Sequence, residues 1–221
     1  MTVLTISREF GCGGEQLAID VATALDYYLV DKVFVSGVLC EYGLTEFDLQ
    51  YDSKIGFWED FDADRAERRD TMVSMLNRVV RMVARHGNSV ILGRSGYAIL
   101  SGLNDVLHVR LHAPFNDRVA NVARQKNLSE AEAAALVKER DSVRMAFIES
   151  FYRVPWQSPL AFDISINTSV IPVEVATQWV LDAARRLGTR PAKRPTTKQL
   201  EIDPVLMQTI ATRLGCANEH P

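Results

Sequence analysis

The feature that most constrains the fold is a rhythm: short apolar, β-branched runs alternate with helical-period stretches along most of the chain. Val3 to Ile6 reads as a buried strand, after which Leu17, Ala18, Val21, Ala22 and Leu25 recur at helical spacing. Tyr28 to Val30 reads as a second strand, with Asp31 placed to cap a helix that carries Val33, Phe34, Val38 and Leu39 and stops near Gly43. A long helix from Asp64 to His86 is supported by Met72, Leu76, Val79, Val80 and Val83, with Gly87 as its left-handed cap. "SVILG", "VLHVRL" and "FDISIN" supply three more strands. Pro114 opens the helix after the fourth strand, and Ser129 with Glu132 forms a capping box for a helix running to about Tyr152. Pro172 starts a helix whose Val173, Ala176, Trp179, Val180, Ala183 and Leu187 are expected to face a core. Strands separated by helices require parallel pairing and right-handed crossovers, so the expected class is α/β: a five-stranded parallel sheet covered on both faces. Ligands of such sheets sit at the carboxyl ends of the strands.

From Thr189 to Lys198 the composition turns to Pro, Thr, Lys and Arg, which marks a linker and divides the chain into a domain at 1–188 and a tail at 189–221. In the tail, Asp203, Pro204 and Gly215 bracket a helix with Leu206, Ile210 and Leu214 on one stripe. A helix this short is marginal alone, so it is expected to dock on the domain or on a second copy in a homodimer. A net charge of -3 argues against a duplex nucleic acid as partner and requires any anionic ligand to be met by local cations. No apolar run approaches the roughly 20 residues that span a bilayer, and the N-terminus enters a strand without a signal core. Three scattered cysteines suit a reducing compartment. The expectation is a cytoplasmic protein that makes no membrane contact.

The sharpest local signal is "TISREFGCGGEQLA", residues 5 to 18, a strand, a glycine turn and a helix start. A phosphate loop G-x-x-x-x-G-K-[ST] works through bare backbone N–H groups, a helix N-terminus, a lysine and a hydroxyl for magnesium. Laid over it, Gly13 falls on the second glycine, Arg8 on the first, Gly14 on the lysine and Glu15 on the hydroxyl. A glycine turn can also be no more than a turn that needs positive φ. Gly11, Gly13 and Gly14 nevertheless leave a backbone nest for an anion, and Arg8 is the candidate to replace the lysine, since a guanidinium binds phosphate bidentately. Glu15 has to reach a metal or face away within the first helical turn. A dinucleotide-binding fold is the rival reading, with Gly11 and Gly13 as G-x-G and Asp31 as the ribose acid, but Gln16 at the third glycine position obstructs it.

The ordered set "ISREFGCGGEQLA", "YYLVDK", "SVILGRSGYAIL", "ERDSVRMAFIESFY" and "FDISINTSVIPVEVA" resembles the cytidylate kinase-like family, relatives of cytidylate kinase among the P-loop nucleoside monophosphate kinases. The resemblance covers roughly residues 1 to 187. It implies a three-layer α/β/α P-loop kinase fold with a helical acceptor-binding insertion after the second strand and a lid between the fourth and fifth. It also implies a lysine-less S-R-E-x-G-x-G-G loop in which Arg8, Gly11, Cys12, Gly13, Gly14, Glu15 and Gln16 surround the phosphates of ATP, accompanied by Mg2+. True cytidylate kinases carry a loop lysine and a G-R-D after the third strand, whereas this chain has Gly14 and Ser95 there. By the same resemblance Arg8, Arg140 and Arg144 are the expected catalytic cations. Asp31, Lys32, Arg94, Arg140, Asp141 and Arg153 are expected around a nucleoside monophosphate, CMP or dCMP, with a catalytically silent nucleotide-binding module as the alternative. A solvated helix face is the plain reading of Arg118, Arg124, Arg140, Arg144 and Arg153, and an N-cap that of Asp31. His108 and His112 alternate along a strand without a third metal ligand nearby, and Trp156 and Trp179 are expected in the core.

Overall fold

The computed structural model describes residues 2–44, 63–93, 95–189 and 195–217. Five strands, β1 (Val3–Arg8), β2 (Tyr28–Val30), β3 (Ser89–Leu92), β4 (Val106–His112) and β5 (Ile164–Asn167), form one sheet in the order β2-β3-β1-β4-β5. All pairings are parallel. The eight α-helices among the described residues are α1 (Gly14–Leu25), α2 (Lys32–Glu41), α3 (Ala63–His86), α4 (Gly96–Ile99), α5 (Phe115–Lys126), α6 (Glu130–Tyr152), α7 (Val173–Leu187) and α8 (Pro204–Ala217). None is long and apolar enough to cross a membrane.

Strand periodicity of two splits the core into two layers. On β4, Leu107, Val109 and Leu111 join Leu4 and Ile6 of β1 under α1 and α7, with Leu17, Val21, Val180 and Leu181. On the other face Val3, Val106 and Ile91 meet Val79 and Val83 of α3, Phe147 of α6, and Trp156. A third, smaller cluster (Val119, Val122, Ala133, Val137) joins α5 to α6, with Phe10 packed against it. A sheet buried on both faces explains why its strands read as continuous apolar runs. The architecture is the three-layer α/β/α arrangement around a five-stranded parallel sheet that the sequence led us to expect.

Caps stand where the sequence places them. Phe34 N–H donates to Asp31 Oδ1 at 3.0 Å at the start of α2, and Ser129 with Glu132 closes a reciprocal capping box on α6. Two apolar side chains differ from expectation. Val33 is exposed and Val35 buried instead. Trp179 is half exposed because the buried stripe of α7 runs through Ala176, Thr177, Val180, Leu181 and Ala184, leaving position 179 on its flank. Thr177 is tolerated inside that stripe because its hydroxyl donates to Val173 O at 2.8 Å.

The tail docks on this same chain. Leu206, Ile210 and Leu214 are at most 1% exposed, packed in the layer that contains α3. Asp203 accepts from Leu206 N–H at 3.1 Å and pairs with Arg78 of α3, while Arg213 pairs with Glu41 of α2. Upstream, Thr197 donates through its N–H and hydroxyl to Asp105 at 2.8 and 2.7 Å, and Asn104 N–H donates to Pro195 O. Residues 45–62 lie outside the described residues.

Candidate active site at the carboxyl edge of the sheet

The register sets Arg8 opposite Leu111, Ile6 opposite Leu92 and Val30 opposite Ile91, so β1, β2, β3 and β4 end at one edge. The glycine turn leaves β1 there. Gly11 and Gly13 adopt positive φ of 88° and 78°, and Gly13 is the N-cap of α1. Gly14 is constrained by closeness: a Cβ there would lie 2.7 Å from Arg8 Cβ and 2.8 Å from Arg8 Cγ. A Cβ at Gly93, past β3, would collide with the Arg8 guanidinium. The arginine therefore runs through a channel between two glycines. Its side chain is 13% exposed, with NH2 3.6 Å from Glu15 Oε1.

Beneath the turn lies a buried ionic frame. Glu9 Oε1 accepts from Arg110 NH2 at 3.3 Å; Glu9 Oε2 accepts from Ala113 N–H at 3.2 Å and lies 3.3 Å from Arg118 Nε. Arg110 also donates to Trp156 O at 2.8 Å and stacks 4.7 Å from the Trp156 ring centroid. Arg118 donates to Ala113 O and Phe10 O, both at 3.0 Å, and to Asp141 Oδ2 at 2.5 Å. Asp141 Oδ1 in turn accepts from Phe10 N–H at 2.9 Å. Every charge here has a partner and further hydrogen bonds, the condition under which charges tolerate burial. Arg144, one turn beyond Asp141, donates to Arg8 O at 3.3 Å and lies over the Phe10 ring.

Two cavities adjoin this frame. One, of ≈ 250 Å³, lies over the ends of β1 and β3 and is lined by Arg8, Lys32, Lys126, Arg140 and Arg144, by Ser95, Tyr97 and Trp156, and by Glu15 as its carboxylate. The other, of ≈ 470 Å³, follows the turn past Gly11, Gly13, Gly14 and Gln16 to Gln125. They share Arg8, Phe10, Glu15, Lys126 and Arg144. Among the described residues five cations against one carboxylate line the first cavity, a local charge that suits an anion inside a protein of net negative charge.

Of the residues named from sequence, Arg8, Gly11, Gly13, Gly14, Glu15, Gln16, Lys32, Arg140 and Arg144 line these cavities. Cys12 does not: its thiol is buried, donates to Glu9 O at 3.0 Å, and has its pKa pushed up to about 11 by burial. Asp31 caps α2. Asp141 is taken up by the frame, and Arg153 is exposed, ending α6 with a left-handed φ of 53°. Arg94 lies outside the described residues. Glu9, Arg110, Lys126 and Trp156 line or frame the site, and the sequence reading assigned them no part in it; for Arg110 the signal was a charged side chain between Val109 and Leu111 in a buried strand.

Comparison with known proteins gives these features a family. The family model described as cytidylate kinase-like matches residues 3–170. The cytidylate kinase of Ignicoccus hospitalis is 26% identical over 181 residues, covering 81% of this chain and 97% of that protein. A uronate isomerase of Corynebacterium glutamicum is 31% identical over 97 residues, but that match spans only 19% of its length. Among solved structures, an uncharacterized protein of Eubacterium ventriosum superimposes with a TM-score of 0.63 at 20% identity, over 86% of this chain and all of that one. With three quarters of its length matched by one model, and the glycine turn and cation-lined edge in place, the chain belongs to the cytidylate kinase-like family.

Proposed function

We propose that this protein transfers the terminal phosphoryl group of ATP to a nucleoside monophosphate, with CMP and dCMP as the first acceptors to test. The observation that carries the reading is the pair of adjoining cavities with Arg8, Lys126 and Arg144 in their common wall. A donor on the glycine turn and an acceptor beside Lys32 and Arg140 would face each other across those cations. Phosphoryl transfer asks a protein chiefly for alignment and for positive charge over the moving group.

The residues present suit a triphosphate with its metal. The glycines leave the turn's main chain bare, Arg8 supplies the cation, and Glu15 offers the kind of oxygen that Mg2+ accepts beside phosphate oxygens. When bound, ATP with Mg2+ brings the transferable group and neutralises part of its charge. Arg8 would hold its phosphates from the floor of the site and Arg144 from α6. Lys32 and Arg140 would bind the acceptor's phosphate, and the apolar sides of Tyr97, Val143, Ile148 and Trp156 would keep water from the reacting oxygens.

A second reading, nucleotide binding without transfer, is favoured by one observation: Gly14 and Glu15 occupy the places of the usual lysine and hydroxyl. ADP formation measured over a panel of monophosphates, beside a nucleotide-binding titration, separates the two. Turnover with at least one monophosphate supports the kinase reading. Binding with no turnover across the panel overturns it in favour of the module.

A further inference from the structure

Ser95 combines three properties that a purely structural residue would not keep together. Its backbone is left-handed, with φ 58° and ψ 19°, a conformation that glycine adopts freely and that strains a residue bearing a Cβ. Its side chain is buried, the residue being 3% exposed, and its Oγ has no hydrogen-bond partner. It stands at the N-cap of α4, yet its hydroxyl makes no capping bond. Glycine would relieve the strain and alanine would remove the unpaired hydroxyl. Strain and unmet polar groups that persist in a fold cluster where a ligand makes use of them.

The surroundings specify what that ligand must bring. Ser95 lines the first cavity with Arg8, Lys32, Lys126, Arg140 and Arg144, and guanidinium and ammonium groups donate hydrogen bonds but accept none. The carboxylate in the same lining, Glu15, is paired with Arg8. The hydroxyl proton of Ser95 thus gains its acceptor when an anionic oxygen enters. We propose that Ser95 Oγ donates a hydrogen bond to a phosphate oxygen of the acceptor substrate, making the serine a recognition residue for phosphomonoesters. The inference deepens the acceptor half of the kinase reading and rests on it. Several cations can hold one phosphate in several orientations; a short donor fixed by a strained backbone selects among them, since it reaches only one place.

The test uses Ser95→Ala and Ser95→Gly in the full chain. Melting temperature without ligand is measured first, then affinity for CMP, UMP, AMP and GMP, for glucose 6-phosphate as a phosphomonoester without a base, for cytidine, and for a non-hydrolysable ATP analogue. Both variants are expected to melt at or above the wild type. They should bind the best monophosphate roughly 10- to 100-fold more weakly, the range for a hydrogen bond to a charged group, and bind cytidine and the ATP analogue unchanged. Undiminished monophosphate binding in both variants overturns the role of Ser95 while the kinase reading stands. A uniform loss of stability and of every ligand also overturns it, by showing the hydroxyl to be structural. If the wild type binds glucose 6-phosphate but no nucleotide, and the variants bind it more weakly, Ser95 keeps its role and the nucleotide acceptor falls. A wild type that binds no phosphomonoester overturns both.

Discussion

Arg8 and Gly14 exclude one another's alternatives. A side chain at position 14 would start inside the stem of Arg8, so the lysine of the usual phosphate loop and the arginine of this one cannot coexist. Arg8→Ala should weaken triphosphate binding by about 2–5 kcal/mol, the cost of removing one member of a desolvated charge pair, with a much smaller change in melting temperature. Gly14→Lys alone should weaken binding as well, by displacing Arg8, while the double variant Arg8→Gly with Gly14→Lys should recover part of the affinity in the same titration. An additive loss in the double variant would show that the two positions do not compete. The missing lysine was legible in the sequence, and so was an arginine beside the turn, because both are read by position along one strand and turn. Glu9 was not, because a carboxylate in a loop looks solvated until Arg110 on β4 and Arg118 on α5 close over it. His108 is a second residue whose state only the fold reveals. It shares a hydrogen bond of 2.8 Å with Thr5, and burial lowers its pKa from the ordinary 6.5, against a smaller opposing pull from Asp163. On acidification the unfolded chain therefore takes up this proton first, and stability falls as pH drops below about 6.5 until the folded form protonates too. Melting temperature against pH should show that slope, flattened in His108→Gln.

At the scale of elements, α6 carries Arg140 and Arg144 into the first cavity, and the frame sets where it stands. Asp141 is central because Phe10 N–H from the turn and Arg118 from α5 both end on its carboxylate, which ties three elements at one side chain. Arg140 and Arg144 flank it and line the first cavity. If they act on the moving phosphoryl group more than on the bound substrates, Arg144→Ala and Arg140→Ala should each lower kcat by about two to three powers of ten with much smaller changes in KM. Arg144→Lys should restore only part, for want of the planar fork. Asp141→Asn should lower kcat as well, but through position, and so should also reduce stability, by up to about 3–5 kcal/mol for a broken buried pair. Steady-state kinetics beside denaturant unfolding distinguishes the two kinds of loss; an Asp141→Asn enzyme slowed without any loss of stability would place the aspartate on the substrate instead. Helix limits were legible from local chemistry, as Asp31, Ser129 and Gly87 show, because caps act within one turn. The pairing of α6 with the turn was not, since it joins residues far apart in sequence through charges that a helix surface would equally present to water.

The whole molecule extends the parallel sheet and its helices with a segment outside the matched family region. Residues 195–217 fold back over α3 and α2, and α8 completes one face of the core with Leu206, Ile210 and Leu214. Its amphipathic stripe was readable from sequence; its partner was not, because an apolar stripe fits a neighbouring copy as well as its own domain. Burying a leucine or isoleucine contributes about 1.5–3 kcal/mol, so three such side chains represent a large share of the 5–15 kcal/mol that holds a typical domain. The same contact reaches the far end of α2, the helix that begins with the cavity residue Lys32, because Arg213 pairs with Glu41. Deleting residues 196–221 should therefore lower the denaturation midpoint sharply and expose the apolar groove on α3, so that the truncated chain associates and elutes with a higher apparent mass. Leu206→Ala, a single cavity in the same contact, should cost about 2–5 kcal/mol without changing the elution volume. Truncation that leaves both midpoint and mass unchanged would show that α8 adds nothing to the core in solution. A mass that falls on truncation would show instead that the helix holds two chains together.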